Sequence, residues 1–233
     1  MKPSISPRMY LGIDEKGLAR AATFLIREND SVYDIGAHIG YTSILFAQLV
    51  GPGGSVQAFE LMPSTAEVLK KSLALNGLAQ CYVHVIGLGS EERKITLARG
   101  LTFMGSLYDS VSGGSGAIGE ECLVTRLDDY RMDNHLPPPQ FVKMDIEFAE
   151  VEALRGAQHT LMEAESILLI EFHSLALLKE GRKWLADLGY EIRLLSGEQL
   201  THSYVESLTY FHQTVMSYKP QCKWHQERLS LFL

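Results

Sequence analysis

The chain has 233 residues, 46% hydrophobic and 21% charged, which is typical of a single globular domain spanning residues 1–233. Its formal net charge of -7 lacks the excess of Lys and Arg that phosphate backbones require, so we expect no nucleic-acid partner. The absence of a long apolar run or a signal-peptide pattern, with only three widely spaced cysteines, predicts a cytoplasmic protein without a membrane span.

The first part of the chain alternates predicted helices with predicted strands. Apolar residues at helical spacing indicate an N-terminal helical segment within residues 1–30. Three short β-prone runs and two longer apolar runs follow it. The predicted strands are 31–35, 55–59 and 81–86, and the predicted helices between them are 41–50 and 63–76. This order is typical of a parallel sheet with right-handed crossovers.

The middle of the chain departs from this alternation. Two short strands are predicted at 94–98 and 121–125. The segment 99–120 between them is rich in Gly and Ser. A loop of this length in a compact domain is usually either functional or disordered. We expect a mobile loop over the functional site, with plain disorder as the alternative.

The alternation then returns and completes the sheet. The predicted helices are 127–132, 147–162 and 175–188, and the predicted strands are 141–145, 167–172, 189–195 and 209–218. The last of these strands is expected to be antiparallel. The pattern therefore predicts an α/β fold with a doubly wound, mostly parallel seven-stranded sheet.

The strongest local motif is VYDIGAHIGY, residues 32–41, where a predicted strand turns into a helix. Asp34 ends the strand, and Gly36 and Gly40 allow the backbone to approach a ligand closely. A dinucleotide-binding turn has the spacing G-x-G-x-x-G, in which the helix faces a pyrophosphate. A carboxylate at this turn suits an ammonium group better. S-adenosyl-L-methionine (SAM) combines an ammonium with adenosine, so the motif favours SAM, and an NAD-dependent dehydrogenase is the alternative.

Further acidic residues stand at predicted strand ends. Glu60 follows the second strand, where a carboxylate can accept both ribose hydroxyls of a nucleoside. Asp145 ends a later strand, and Glu147 lies near the predicted start of the next helix, where it would also complement the helix dipole. Glu171 and His173 share one strand face by period-two alternation. Solvated acids and a core histidine are the structural alternatives.

Six segments together resemble the FkbM-type methyltransferases. They are DIGAHIGYTS, AFE, LALNGL, TRLDDY, VKMDIEFAEVEALRGA and LLIEFH, in that order over roughly residues 30–175. The resemblance implies a class I methyltransferase (Rossmann-like) fold with SAM as methyl donor. It also implies methylation of a hydroxyl oxygen on a small molecule, natural product or glycan.

The resemblance also assigns roles to individual residues. The implied catalytic residues are Asp145, Glu147 and His173, and the implied cofactor-binding residues are Asp34, Gly36, Ala37, Gly40, Glu60, Leu61, Leu88 and Asp145. The sequence departs from the family pattern at three places: Phe148 replaces the usual Gly, His38 the usual Asn, and Leu61-Met62 the usual Pro-Asn. The first departure concerns the acceptor side, and the other two concern the cofactor side.

These features predict a SAM-dependent O-methyltransferase in which Asp145 or His173 removes the acceptor proton. Asp145, Glu147 and His173 could also ligate Mg²⁺ or Mn²⁺, but their spacing does not demand a metal, and we predict none. The alternative function is a degenerate methyltransferase-fold protein that binds SAM or a partner without turnover.

Overall fold

A computed structural model of the chain describes residues 16–98 and 119–232. The helices are α1 (Lys16–Leu25), α2 (Tyr41–Val50), α3 (Pro63–Leu75), α4 (Leu127–Asp133), α5 (Glu150–Gly156), α6 (Gln158–Ala164), α7 (Leu175–Asp187), α8 (His202–Ser207) and α9 (Lys223–Leu229). The strands are β1 (Ser31–Ile35), β2 (Ser55–Phe59), β3 (Cys81–His84), β4 (Gly87–Leu88), β5 (Arg93–Ala98), β6 (Gly119–Thr125), β7 (Phe141–Met144), β8 (Ile167–Phe172), β9 (Glu191–Leu194) and β10 (Gln213–Tyr218).

Seven strands form the main sheet in the order β3-β2-β1-β7-β8-β10-β9. The pairs from β3 to β8 are parallel, whereas β10 runs antiparallel to both β8 and β9. The predicted fold class, a mostly parallel seven-stranded sheet with an antiparallel last strand, is confirmed. The last strand in the chain lies inside the sheet, between β8 and β9.

The strand order reverses between β1 and β7. The chain runs outward from β1 through β2 to β3, and it then returns to place β7 on the other side of β1. At such a switch point the connections leave the strand ends in opposite directions, which opens a crevice at the carboxyl edge of the sheet. Any ligand of this fold is therefore expected at the ends of β1, β2, β7 and β8.

Both faces of the sheet are covered, and side chains alternate between them. In β1, Tyr33 and Ile35 pack into the core on one face, whereas Val32 packs on the other face with Phe46 of α2. This period-two alternation puts Asp34 on the same face as Val32. The carboxylate of Asp34 is consequently directed at α2 and away from the face that holds Tyr33.

The middle strands form a separate three-stranded sheet in the order β4-β6-β5. The strands predicted at 94–98 and 121–125 are thus confirmed, and they pair antiparallel with each other. The predicted mobile loop 99–120 lies mostly outside the described residues, but residues 119 and 120 belong to β6 and are not loop. The single domain over 1–233 stays a prediction.

The helix predicted over 147–162 is wrong in two respects. Glu147 and Phe148 have φ angles of 48° and 71°, so they form a left-handed turn before α5 begins at Glu150. Ala157, with φ -111° and ψ 8°, then separates α5 from α6. Left-handed residues cannot continue a right-handed helix, and Glu147 therefore lies in a turn rather than in a first helical turn.

Candidate active site

The turn from β1 into α2 is held by the ends of its neighbouring strands. The amides of Gly36 and Ala37 both donate to the Phe59 carbonyl at 3.0 Å. A Cβ on Gly36 would lie 1.8 Å from the carbonyl oxygen of Asp145, so only glycine lets the end of β7 approach this turn. Gly40, with φ 99°, directly precedes α2. Packing between strand ends thus requires glycine at position 36, and the roles of Gly36, Ala37 and Gly40 in cofactor binding stay predictions.

An ion pair lies beneath this turn. Asp34 and Lys143 are register partners on β1 and β7, and their charged groups are 3.6 Å apart. The Lys143 ammonium also donates to the Gly36 carbonyl at 2.8 Å and lies 3.7 Å from an Asp145 oxygen. Lys143 was not among the predicted site residues. One cation therefore links the end of β7 to the turn.

Asp34, predicted to lie near a ligand ammonium, makes its contacts within the protein. Its side chain is 0% exposed, and one carboxylate oxygen accepts hydrogen bonds from the hydroxyls of Thr42 at 2.7 Å and Ser43 at 2.6 Å. The side chain lies under α2 because it shares the face of the sheet that α2 covers. The contacts support a structural role for Asp34, and its part in cofactor binding stays a prediction.

Glu60 extends from the end of β2 toward the same turn. One carboxylate oxygen accepts the His38 amide and the other accepts the Met62 amide, each at 2.9 Å. Burial raises the pKa of Glu60, and these two amides act against that rise. A carboxylate offers about four lone-pair sites. Two of them are left to accept the hydroxyls of a ribose, so the predicted role of Glu60 fits its geometry.

Leu61 and Leu88 provide an apolar surface beside Glu60. Leu88 is buried in β4. Leu61 packs against the same strand, since a Cβ added to Gly87 would lie 2.7 Å from the Leu61 Cδ1 atom. Apolar side chains at this place suit the flat face of an adenine. The two leucines were predicted as cofactor-binding residues, and this assignment stays a prediction.

The three predicted catalytic residues lie together on the side of the switch point that holds β7 and β8. His173 follows β8, and its Nε2 lies 3.5 Å from an Asp145 oxygen and 3.6 Å from a Glu147 oxygen. The His173 side chain is only 5% exposed, whereas Asp145 and Glu147 are partly exposed. The structure therefore brings Asp145, Glu147 and His173 into one cluster, in which the carboxylates of Asp145 and Glu147 are partly exposed.

The other ring nitrogen of His173 binds a carboxylate that the sequence reasoning missed. Glu150 is 0% exposed, and its Oε1 lies 2.6 Å from His173 Nδ1 and accepts the Phe148 amide at 3.0 Å. Burial by itself would lower the pKa of His173. The hydrogen bond and charge of Glu150, with the charges of Glu147 and Asp145, outweigh burial and raise this pKa to about 9. His173 is consequently protonated at neutral pH.

Two further residues extend the cluster along the sheet edge. His212 Nε2 lies 3.0 Å from a Glu171 oxygen, and its ring centroid is 4.8 Å from that of His173. Sequence reasoning missed His212 because its role depends on β10 running antiparallel beside β8. That direction places the start of β10 against the end of β8, where Gln213 pairs with Phe172. The predicted antiparallel strand was the one signal that pointed there.

Phe148, which stands where the family usually has Gly, forms one wall of this cluster. Its ring centroid is 5.5 Å from that of His173, and the side chain is 38% exposed. Its φ of 71° is the conformation that glycine adopts without strain. The departure from the family pattern therefore adds an aromatic surface next to His173 while keeping the backbone conformation of the turn.

A model of the "Methyltransferase FkbM domain" matches residues 34–192 of this chain. This range includes all the site residues described above except His212. The solved structure of an FkbM methyltransferase from Methylobacillus flagellatus KT has the same fold, with a TM-score of 0.56 and 20% identity. The match covers 82% of this chain and 43% of that chain. The sheet topology described above is thus one that solved methyltransferases share.

Two other proteins extend the comparison. A protein-L-isoaspartate O-methyltransferase from Aeropyrum pernix is 42% identical over 62 residues, which are 27% of this chain and 24% of that protein. Fibrillarin from the same organism, solved with bound SAM, has a TM-score of 0.51 at 14% identity and covers 86% of this chain and 73% of its own. The first similarity spans about a quarter of the relative, and the second is one of fold.

The comparisons bear on the predicted absence of a nucleic-acid partner, and the structure bears on the predicted absence of a membrane span. Solved structures with this fold include proteins described as rRNA methylases, so the fold does not support the predicted exclusion of nucleic acid. Within residues 16–98 and 119–232, no helix is long and apolar enough to cross a membrane. The predicted cytoplasmic location stays a prediction.

Proposed function

Because the chain belongs to the FkbM methyltransferase family, we propose that it transfers a methyl group from SAM to a hydroxyl oxygen of a small molecule, natural product or glycan. The observation that carries this proposal is the position of Glu60 and of the Asp145–His173 pair on opposite sides of the switch point. On the first side, Glu60 can accept hydrogen bonds from the ribose hydroxyls of a nucleoside. On the second side, the partly exposed carboxylate of Asp145 lies next to the imidazole of His173.

The cofactor side of the site is formed by Glu60, the turn at Gly36–Gly40 and the leucines at 61 and 88. Glu60 would accept the ribose hydroxyls, and its carboxylate is already fixed by two amides. When bound, SAM supplies an activated methyl group on a positively charged sulfur. The residues of this side align it, and good alignment of two reactants contributes on the order of 7–11 kcal/mol.

The acceptor side must remove a proton from the hydroxyl. His173 is already protonated at neutral pH, because the surrounding carboxylates raise its pKa. Asp145, partly exposed and 3.5 Å from His173, is therefore the better base. Asp145 would accept the hydroxyl proton of the acceptor, and SAM held on the cofactor side would supply the methyl group that the acceptor oxygen takes up. A positioned base adds roughly 10²–10⁴-fold to such a rate. His173 and Glu147 hold the acceptor hydroxyl beside it.

Calorimetric titration with SAM and with S-adenosylhomocysteine tests the cofactor side. Glu60→Gln should weaken binding of both by about 10-fold or more, because a charged hydrogen-bond acceptor contributes roughly 1.5–3 kcal/mol. Glu67→Gln is the matched control, since Glu67 is exposed and forms a surface ion pair with Lys70. Equal binding by wild type and Glu60→Gln contradicts the assignment of Glu60.

Methylation of a library of hydroxylated acceptors tests the acceptor side in the same preparations. Asp145→Asn should lower turnover by about 10²-fold or more and weaken SAM binding by a much smaller factor. Unchanged turnover contradicts the role of Asp145. Tight SAM binding by wild type without any methylated product favours the degenerate binding protein. No binding of either ligand overturns the proposed function.

A further inference from the structure

The residues at the junction of β8 and β10 have the arrangement of metal ligands. One donor atom from each of Glu171, His173 and His212 lies within 4.8 Å of the other two. Ligand atoms held about 2.1 Å from one ion lie roughly 3–4 Å apart, so small side-chain movements bring all three into range. We propose that Glu171, His173 and His212 bind a divalent transition-metal ion.

The backbone itself brings these three residues together. Glu171 and His173 alternate onto the same face at the end of β8. His212 directly precedes β10, which pairs antiparallel with β8 and places Thr214 beside Glu171. Glu171 lies within β8, and His173 and His212 are each one residue beyond a paired strand, so the two strands limit how far these side chains can move apart.

The orientation of His173 is that of a metal-ligating histidine. Its Nδ1 is held by Glu150 at 2.6 Å, which leaves Nε2 directed at the cluster. A bound metal ion would take the place of the proton that Nε2 carries in the metal-free protein. Histidine ligands almost always give their second nitrogen to a carboxylate or carbonyl in this way. Glu150 is fully buried, and its other oxygen has no hydrogen-bond partner among the described residues. A buried carboxylate is costly unless positive charge lies near it.

The charge around this point also favours a cation. Asp145 and Glu147 lie 3.5 and 3.6 Å from His173 Nε2, so they join Glu150 and Glu171 around the two imidazoles. Lys143 lies near Asp145, at 3.7 Å. Four carboxylates thus face two histidines and one lysine, and a divalent ion would balance the excess negative charge.

The donor set indicates which metals fit. Two imidazoles and one carboxylate suit Zn²⁺, Mn²⁺ or Fe²⁺, whereas Mg²⁺ and Ca²⁺ prefer sites made of oxygen alone. Three protein ligands leave a position open for a further oxygen. An acceptor hydroxyl bound there would lose its proton to Asp145 more readily. This last consequence rests on the proposed function, whereas metal binding does not. The proposal replaces the predicted absence of a metal.

Calorimetric titration of the chelator-treated chain, with Zn²⁺ and separately with Mn²⁺, tests the site directly. Wild type should bind one equivalent of at least one of these ions. His212→Ala should weaken that binding by more than 10-fold, and Glu150→Gln by about 10–100-fold, as is typical for a residue that orients a ligand. His202→Ala, an exposed histidine at the start of α8, should bind like wild type.

SAM affinity of the same metal-free samples separates the two proposals. SAM binding without stoichiometric metal binding overturns the metal site and leaves the methyltransferase proposal standing. Metal binding that His212→Ala does not weaken also overturns the site as assigned here. Metal binding that His212→Ala abolishes, in a protein that binds no SAM, supports the metal site and overturns the proposed function. Because His212 is 42% exposed, its replacement by Ala is expected to leave the fold intact.

Discussion

At the scale of single residues, Lys143 links two carboxylates of the site to the turn before α2. It is 5% exposed, and it lies between the buried carboxylate of Asp34 and the partly exposed carboxylate of Asp145. Its hydrogen bond to the Gly36 carbonyl joins this pair to the turn before α2. Buried charges are tolerated only when they are paired and hydrogen-bonded. Lys143 therefore stabilises the fold and fixes the geometry of the site through one ammonium group.

Replacement of this lysine leaves a buried charge uncompensated. Lys143→Met should lower the free energy of unfolding by about 3–5 kcal/mol, because Asp34 is 0% exposed and loses its cation. Urea unfolding followed by circular dichroism measures the loss. The double variant Lys143→Met with Asp34→Asn should recover part of it, since the remaining side chain is neutral. Lys70→Met, in an exposed pair, should cost less than about 1 kcal/mol. Equal effects of the two lysine variants contradict the buried-pair argument.

At the scale of elements, close backbone approaches fix how α5 packs on the small sheet. A Cβ on Gly156, the last residue of α5, would lie 1.9 Å from the carbonyl oxygen of Gly89 after β4. Gly89 is itself held to β6 by its hydrogen bond to the Thr125 carbonyl at 2.9 Å. The helix that begins at Glu150 is thereby held against the strand that carries Leu88. The acceptor side and the adenine side of the site are linked through this contact.

An added methyl group at this contact should separate the two elements. Gly156→Ala should lower the free energy of unfolding by about 2 kcal/mol or more, since the clash is with backbone atoms that have little freedom to move. Gly17→Ala is the control within another helix. There the Cβ meets only the end of the Leu195 side chain at 3.3 Å, and helix propensity favours Ala by up to about 1 kcal/mol. Thermal unfolding of both variants checks the expected difference, and destabilisation by Gly17→Ala of the same size argues against a specific clash at Gly156.

At the scale of the whole molecule, histidines with shifted pKa values contribute to how stability depends on pH. Burial lowers the pKa of His38, His84 and His225, and that of His84 falls to about 4. Such groups stabilise the fold above their unfolded pKa of about 6.5, and this contribution is lost as pH falls toward the folded pKa. His173, with its pKa raised to about 9, contributes in the opposite sense. Its contribution is lost as pH rises from about 6.5 through 9.

The metal-free protein should consequently be most stable near neutral pH. Its free energy of unfolding should fall between pH 7 and pH 5, and His84→Gln should reduce that fall by about 1–2 kcal/mol, allowing for the partial exposure of His84. Glutamine keeps a hydrogen-bonding group near Gln57 and Tyr130, the partners of His84. Urea unfolding in a chelating buffer at both pH values measures the change. A fall of the same size in wild type and variant would contradict the role of His84.

The sequence by itself determined the order of the main elements, the fold class and the two strand-end acids Glu60 and Asp145. These features are local, because periodicity and strand-end position can be read within a few residues. The short helices α8 and α9 and the left-handed turn at Glu147 and Phe148 were not predicted, since their backbone is set by contacts rather than by local pattern.

Only the tertiary structure decided which side chains meet. Lys143 pairs with Asp34 because β7 lies beside β1 in matching register, and both side chains then face α2. Glu150 and His212 reach His173 because α5 starts below β8 and because β10 runs antiparallel next to it. Strand order and direction are properties of the folded sheet, and a linear sequence does not state them. The charge partners of His173, and with them its pKa, were therefore decided by the fold.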